Sequence, residues 1–153
     1  MIQIIRTNSD NSDFIALVKQ LDKELWSRYG EEQSFFDRFN KLDSIKQVVT
    51  AYMDDKPVGC GAIKEYSGDI AEVKRMYVAP EVRGKGIAMK VLKELEQWAS
   101  ELTFDECILE TGVEQPEAIR LYEKCGYAVI PNYGQYAGVK SSVCMGKKFT
   151  SHL

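Results

Sequence analysis

Apolar positions along the chain change their period several times, and each change marks a predicted element. Ile2, Ile4 and Ile5 suggest a short first strand. Ser12 can cap a helix in which Phe14, Leu17, Val18, Leu21, Leu25 and Trp26 recur at three- and four-residue steps, ending near Gly30. A second, shorter helix is predicted over Glu31 to Phe39. Next comes a strand pair, Gln47 to Met53 and Val58 to Tyr66, joined by a polar turn at Asp54-Asp55-Lys56-Pro57. A turn at Ser67-Gly68-Asp69 then leads into a strand from Ile70 to Val78, which Ala79-Pro80 must end because proline supplies no backbone donor.

From Gly86 to about Leu102 the period lengthens. Ala88, Val91, Leu92, Leu95, Trp98, Ala99 and Leu102 form one apolar stripe, while Lys90, Lys93, Glu94, Glu96 and Gln97 face away. Cys107 to Leu109 reads as a short buried strand, and Pro116 at a first helical position opens a helix of Ala118, Ile119, Leu121 and Tyr122 that Gly126 closes. Tyr127 to Ile130 and Ser142 to Phe149 complete the pattern as two last strands. Hairpins come first and strand-helix-strand units after, so the fold class is α/β with a partly antiparallel sheet. With no repeat and no linker-like stretch, one domain over residues 1–153 is expected.

Composition narrows the chemistry. The single histidine, His152, lies one residue from the C-terminus, which argues against zinc sites and Ser-His-Asp triads, since both need an imidazole held by packed structure. A net charge of −3 argues against a general nucleic-acid binder. Cys60, Cys107, Cys125 and Cys144 are far apart, with no Cys-x-x-Cys among them, and read as reduced thiols of a cytoplasmic protein. The first residues do not resemble a signal peptide, and no apolar run approaches the roughly 18 residues that a membrane span needs.

The charge that is present is unevenly placed. Between Lys74 and Lys93 six basic residues stand against one acidic, in a chain whose total is negative. That stretch contains Arg83-Gly84-Lys85-Gly86-Ile87-Ala88, where a strand passes through two glycines into the N-terminus of the clearest amphipathic helix. Unpaired N–H groups and the helix dipole make such an entry an anion site, and glycines let a phosphate reach the backbone. The loop is not a P-loop, because Lys85 precedes Gly86 and no Gly-Lys-Ser/Thr follows, and it lacks the third glycine of a dinucleotide fingerprint, where Met89 stands. On spacing alone, a turn whose glycines serve only the helix entry stays open as an alternative, as does an α/β protein binding another nucleotide.

Arg83-x-x-Gly86-x-Ala88 resembles the Arg/Gln-x-x-Gly-x-Gly/Ala signature of the GNAT superfamily of acyl-CoA-dependent N-acyltransferases. Gln115 to Tyr127, with Tyr122 on a helix ending in Gly126-Tyr127, looks like the later motif of the same superfamily, which often carries Asn where Gln115 stands. The resemblance implies a mixed, mostly antiparallel central sheet flanked by helices, and acetyl transfer from acetyl-CoA directly to a primary amine of a small molecule or peptide, with no metal. The diphosphate would sit on the backbone of Arg83, Gly84, Lys85, Gly86, Ile87 and Ala88, with Lys85, Lys90 or Lys124 as side-chain partners and Gln115 as a further contact. The pantetheine would pair with Met76, Tyr77 and Val78, where a main-chain N–H near Val78 would hold the thioester carbonyl.

In the same reading Tyr122 is the general acid, Glu72 the first candidate base and Glu110 the second. Cys125 has no histidine to activate it and packs beside a helix end. The acceptor side would be lined by the region from Trp26 to Phe36, including Glu31 and Glu32, and by Tyr133 and Tyr136. A homodimer is the oligomeric expectation of the resemblance. A module that binds acetyl-CoA without turnover is the alternative of a different class.

Overall fold

A computed structural model of the protein describes residues 1–30 and 45–149. The predicted helix at Glu31 to Phe39, and with it Glu31, Glu32 and Phe36, lies outside the described residues, as does His152. Strands β1 (Ile2–Thr7), β2 (Gln47–Met53), β3 (Lys56–Ser67), β4 (Ile70–Val78), β5 (Glu106–Gly112), β6 (Ala128–Ile130) and β7 (Ser142–Lys148) form a seven-stranded sheet in the order β1-β2-β3-β4-β5-β7-β6. Every neighbouring pair is antiparallel except β4 and β5, which run parallel and are linked by helix α2 (Ile87–Glu101). Helix α1 (Ser12–Tyr29) connects β1 towards β2, and helix α3 (Pro116–Lys124) follows β5.

The sheet is buried on both faces because successive strand residues alternate sides. Val48, Cys60, Ala62 and Tyr77 pack with Phe14, Leu17, Val18 and Leu21 of α1. Val49, Ala51, Val73 and Leu109 turn the other way, onto Val91, Leu92 and Leu95 of α2, with Ala118 and Tyr122 of α3 in the same cluster. Helix α2 lies so close to β3 that a Cβ at Gly61 would stand 2.9 Å from a Leu95 methyl and 3.0 Å from a Val91 methyl. Gly61→Ala is therefore expected to destabilise the fold by about 1–3 kcal/mol, the usual cost of overpacking, which urea unfolding would measure.

Several local expectations need correction. The N-cap of α1 is Asn11, whose side-chain oxygen accepts from the Phe14 N–H at 3.0 Å; Ser12 is already helical. The β2–β3 turn is shorter than its polar run. Only Asp54 and Asp55 form it, both at positive φ, and Lys56 and Pro57 already belong to β3. Glu96, expected to face away, is largely buried and accepts from the Tyr127 hydroxyl at 2.8 Å and the Lys147 ammonium at 2.9 Å. The stripe of α2 is wider than the apolar residues show, because β7 supplies a cation to meet the carboxylate.

Candidate active site

Two irregularities in β4 create the site. Pairing with β5 covers only Ile70 to Val73, opposite Glu106 to Leu109, so the two strands diverge beyond Val73. On its other side β4 carries a bulge, seen as a register shift where Cys60 pairs Tyr77 and Ala62 pairs Lys74. The extra residue includes Arg75 at φ +61°, a left-handed conformation that a side chain seldom adopts. Its guanidinium is tied to Asp22 of α1 at 2.9 Å, which holds the strained residue against that helix.

The divergence leaves main-chain groups without a strand partner. The Ala79 N–H donates to the Val58 carbonyl at 2.8 Å. By the alternation of an antiparallel ladder, Val78 therefore turns its own N–H and C=O away from β3, into the splay.

Past the end of β4, a short helical turn at Pro80–Val82 leads to the glycine loop. Gly84 and Gly86 have φ of +84° and +81°, and a Cβ added to either would meet open space. The first closing bond of α2 runs from the Lys90 N–H to the Gly86 carbonyl at 3.1 Å, and no side chain caps the helix. The N–H groups of its first turn thus face the space over the loop. Arg83 is the exception, since its amide closes on Pro80 at 3.3 Å.

A cavity of about 370 Å³ occupies the cleft, lined by Met76, Tyr77, Val78, Arg83, Gly84, Gly86, Ile87, Ala88, Gln115 and Lys124 among others. Lys85 and Lys90 are exposed and do not line it. A second cavity of about 130 Å³ adjoins it, lined by Glu72, Lys74, Glu110, Thr111 and Tyr136 as well as α1 residues. Leu21, Met76, Gln115, Ala118 and Tyr122 belong to both walls. Tyr122 therefore stands where the two chambers meet. Its ring is buried edge-on to Tyr127 at 5.9 Å, and burial raises its hydroxyl above the ordinary phenol value, with the charges of Cys125 and Glu110 adding to the effect.

The two carboxylates differ in their partners. Glu72 is buried, accepts from the Tyr133 hydroxyl at 2.7 Å and faces the Lys74 ammonium at 3.7 Å. Burial lowers the Lys74 ammonium, and the Glu72 charge partly restores it. Glu110 accepts from the Ser142 hydroxyl at 2.7 Å, and burial pushes its carboxyl up to about 7; Ser142 and Lys74 oppose the rise and Glu72 adds to it. A carboxyl poised near neutrality beside a cavity has the character of a general base. Cys60 and Cys107 are buried and pushed up to about 12, so neither is a nucleophile, and no group of metal-ligating side chains occurs among the described residues.

Sequence reasoning named Tyr133 and Tyr136 for the acceptor side, and both meet the second cavity or its carboxylate. Ser142, Thr111, Glu24 and Asp22 were not singled out. Nothing in a lone serine at a strand start or two acids within an amphipathic helix signals a contact made across the fold. Trp26, expected on that side, is half exposed and lines neither cavity.

The model of the acetyltransferase (GNAT) family matches residues 12–127, most of the chain and all of the cleft. The chain belongs to this family. As a GNAT protein it is an acyl-CoA N-acyltransferase. It is 32% identical over 148 residues to a protein of Azospirillum brasilense named IAA acetyltransferase, covering 95% of this chain and 97% of that one. A Klebsiella pneumoniae structure assigned to the acyl-CoA N-acyltransferases superposes with a TM-score of 0.81 at 28% identity, over 97% of each chain. The PaiA N-acetyltransferase of Thermoplasma acidophilum, solved in complex with coenzyme A, shares the fold with a TM-score of 0.74 at 20% identity, over 97% of this chain and 99% of that one. No helix among the described residues is long and apolar enough to cross a membrane.

Proposed function

We propose that this GNAT protein transfers acetyl from acetyl-CoA to a primary amine of a small molecule or peptide, in the cytoplasm, with the whole chain acting as one domain. The observation that carries the reading is the pair of joined cavities. One is headed by an uncapped helix entry with two left-handed glycines, the other holds two carboxylates, and a phenol stands at their junction. The open space over Gly84 and Gly86 fits a diphosphate, and Lys124 lies on the same wall. Acetyl-CoA supplies the thioester. The chain's own residues do the rest.

Gly84 to Ala88 offer main-chain donors to the phosphates, and Met76 to Val78 offer the pantetheine amides a strand edge that β5 does not pair. The Val78 N–H, turned into the splay, holds the thioester carbonyl. A fixed donor of this kind is typically worth about 3 kcal/mol. An alkylamine near pKa 10.4 is protonated at neutral pH, so presenting it as a nucleophile costs about 4 to 5 kcal/mol. Glu110 accepts that proton, while Glu72, engaged by Tyr133 and Lys74, lines the same chamber. As the carbon–nitrogen bond forms and the carbon–sulfur bond breaks, Tyr122 donates its hydroxyl proton to the leaving thiolate and regains one from the nitrogen, which sheds its second proton as the amide forms. Its raised pKa keeps it protonated at every working pH.

Free-thiol release from acetyl-CoA, followed with a panel of amines, tests this function. Release that requires both substrates is expected; tight binding of acetyl-CoA with no amine-dependent release would favour a module without turnover. Tyr122→Phe is expected to lower kcat by about 10- to 100-fold and leave the KM for acetyl-CoA nearly unchanged, and steady-state kinetics at saturating amine would show it.

A further inference from the structure

The arginine that opens the phosphate loop does not turn its side chain toward the phosphates. Its Nε donates to the Val78 carbonyl at 2.9 Å, and one terminal nitrogen donates to a Glu24 carboxylate oxygen of α1 at 2.7 Å. The guanidinium carbon lies 5.6 Å from the centre of the Tyr77 ring. Three contacts thus fix one planar group, and two of them are to the last residues of β4. Val78 is also the residue whose N–H and C=O point into the splay, where no strand pairs them. The peptide unit that carries the Val78 carbonyl is held on the β3 side through the Ala79 N–H, and Arg83 grips it on the splay side, so that it is fixed from both sides. Glu24, which lines the larger cavity with Arg83, supplies the second anchor and joins α1 to the loop.

We propose that Arg83 is a positioning residue: by gripping the Val78 carbonyl, and being held by Glu24, it aims the neighbouring Val78 N–H at the thioester. The proposal rests on the reading that this N–H receives the thioester carbonyl. It explains a chemical regularity in the signature that Arg83 matches. Arginine and glutamine, the two residues admitted there, share a planar N–H donor able to reach a carbonyl, whereas lysine carries a point charge that would suit a phosphate equally well. It also separates two roles within the loop. The glycines and the helix entry hold the anion, while the arginine side chain serves the reacting end of the ligand.

The test combines kinetics with the infrared carbonyl stretch of acetyl-CoA labelled with carbon-13 at the thioester. Arg83→Met should lower kcat by about 10- to 100-fold, return the stretch toward its value in free solution, and change the dissociation constant of CoA, which has no thioester, by less than about 3-fold. Arg83→Gln should recover most of kcat and most of the stretch. Glu24→Gln should lower kcat in the parent but have no further effect in Arg83→Met, because both act through one contact. A CoA affinity that falls tens of times in Arg83→Met with kcat preserved would overturn the proposal and make Arg83 a phosphate ligand. An unchanged stretch and kcat in Arg83→Met would overturn it too. If the parent protein itself leaves the stretch at its free-solution value, the thioester does not meet the Val78 N–H, and the underlying reading fails rather than this step alone.

Discussion

Gly86→Asp is expected to weaken CoA binding by more than about 100-fold while the protein stays folded. Two separate costs follow, the first borne by the fold and the second by the ligand. Gly86 stands at φ +81°, where a side chain costs roughly 1–2 kcal/mol. A carboxylate about 4 Å from a phosphate repels it by about 4 kcal/mol at the dielectric of a protein surface. Gly86 is also the N-cap of α2, so the new carboxylate would take for itself the first-turn N–H groups that the diphosphate needs. That same contact supports the helix, which is why the loss should fall on the ligand and not on the fold. Gly86→Ala carries only the backbone cost, which the unliganded fold already bears at φ +81°, and should lower the melting temperature while weakening CoA binding far less than Gly86→Asp. Isothermal titration of CoA into both variants, with the melting temperature of each, measures the two effects separately.

Glu110→Gln is expected to lower kcat/KM by about 100- to 1,000-fold near pH 8, within the range of a lost general base. In the parent protein the same group should set the acidic limb of the pH profile. A base must be ionised, and burial pushes this carboxyl up to about 7, so kcat/KM should rise tenfold per pH unit below about 7 and level off above it. In Glu110→Gln that limb should disappear. Stability carries an independent sign. A carboxyl raised from its ordinary 4.5 to about 7 is better protonated in the folded state than in the unfolded one. Its contribution is therefore fully present below pH 4.5, is lost as pH rises through about 7, and leaves a buried charge above it. The variant should melt higher than the parent at pH 8 and close to it at pH 4.5. Activity lost together with a raised melting temperature would separate a missing base from a damaged fold. Glu72→Gln, by contrast, removes the carboxylate that Tyr133 and Lys74 engage and should leave the acidic limb in place.

Much of this architecture was legible because local chemistry and global fold agree. The change of period at Gly86, the proline at the start of α3 and the break at Ala79-Pro80 each place an element boundary within a residue or two. The uncapped helix entry with its left-handed glycines was legible from the same facts, since it needs no partner elsewhere in the sequence. What the sequence could not show are contacts between distant residues. The divergence of β4 from β5 depends on where parallel pairing stops, and no single residue announces it. The bulge at Arg75 is set by register against β3 and by the Asp22 contact on α1. The sequence places Glu72 ahead of Glu110 because its strand position resembles one used for deprotonation in some members of the superfamily. Our proposal places Glu110 first because Tyr133, from the loop before β7, and Lys74 engage Glu72, while Glu110 accepts from the neutral Ser142 hydroxyl. Glu96 and Lys147 make the same point on the opposite face of the sheet, where two surface-like charges meet beneath Tyr127.

The most direct measurement is a residue-by-residue titration of backbone amide resonances with CoA in nitrogen-15-labelled protein. Gly84, Lys85, Gly86, Ile87 and Ala88 should shift together with Val78, tracing a path from the helix entry into the splay. Shifts confined to the outer face of α3 or to the β1 and β6 edges, with these amides unmoved, would contradict it.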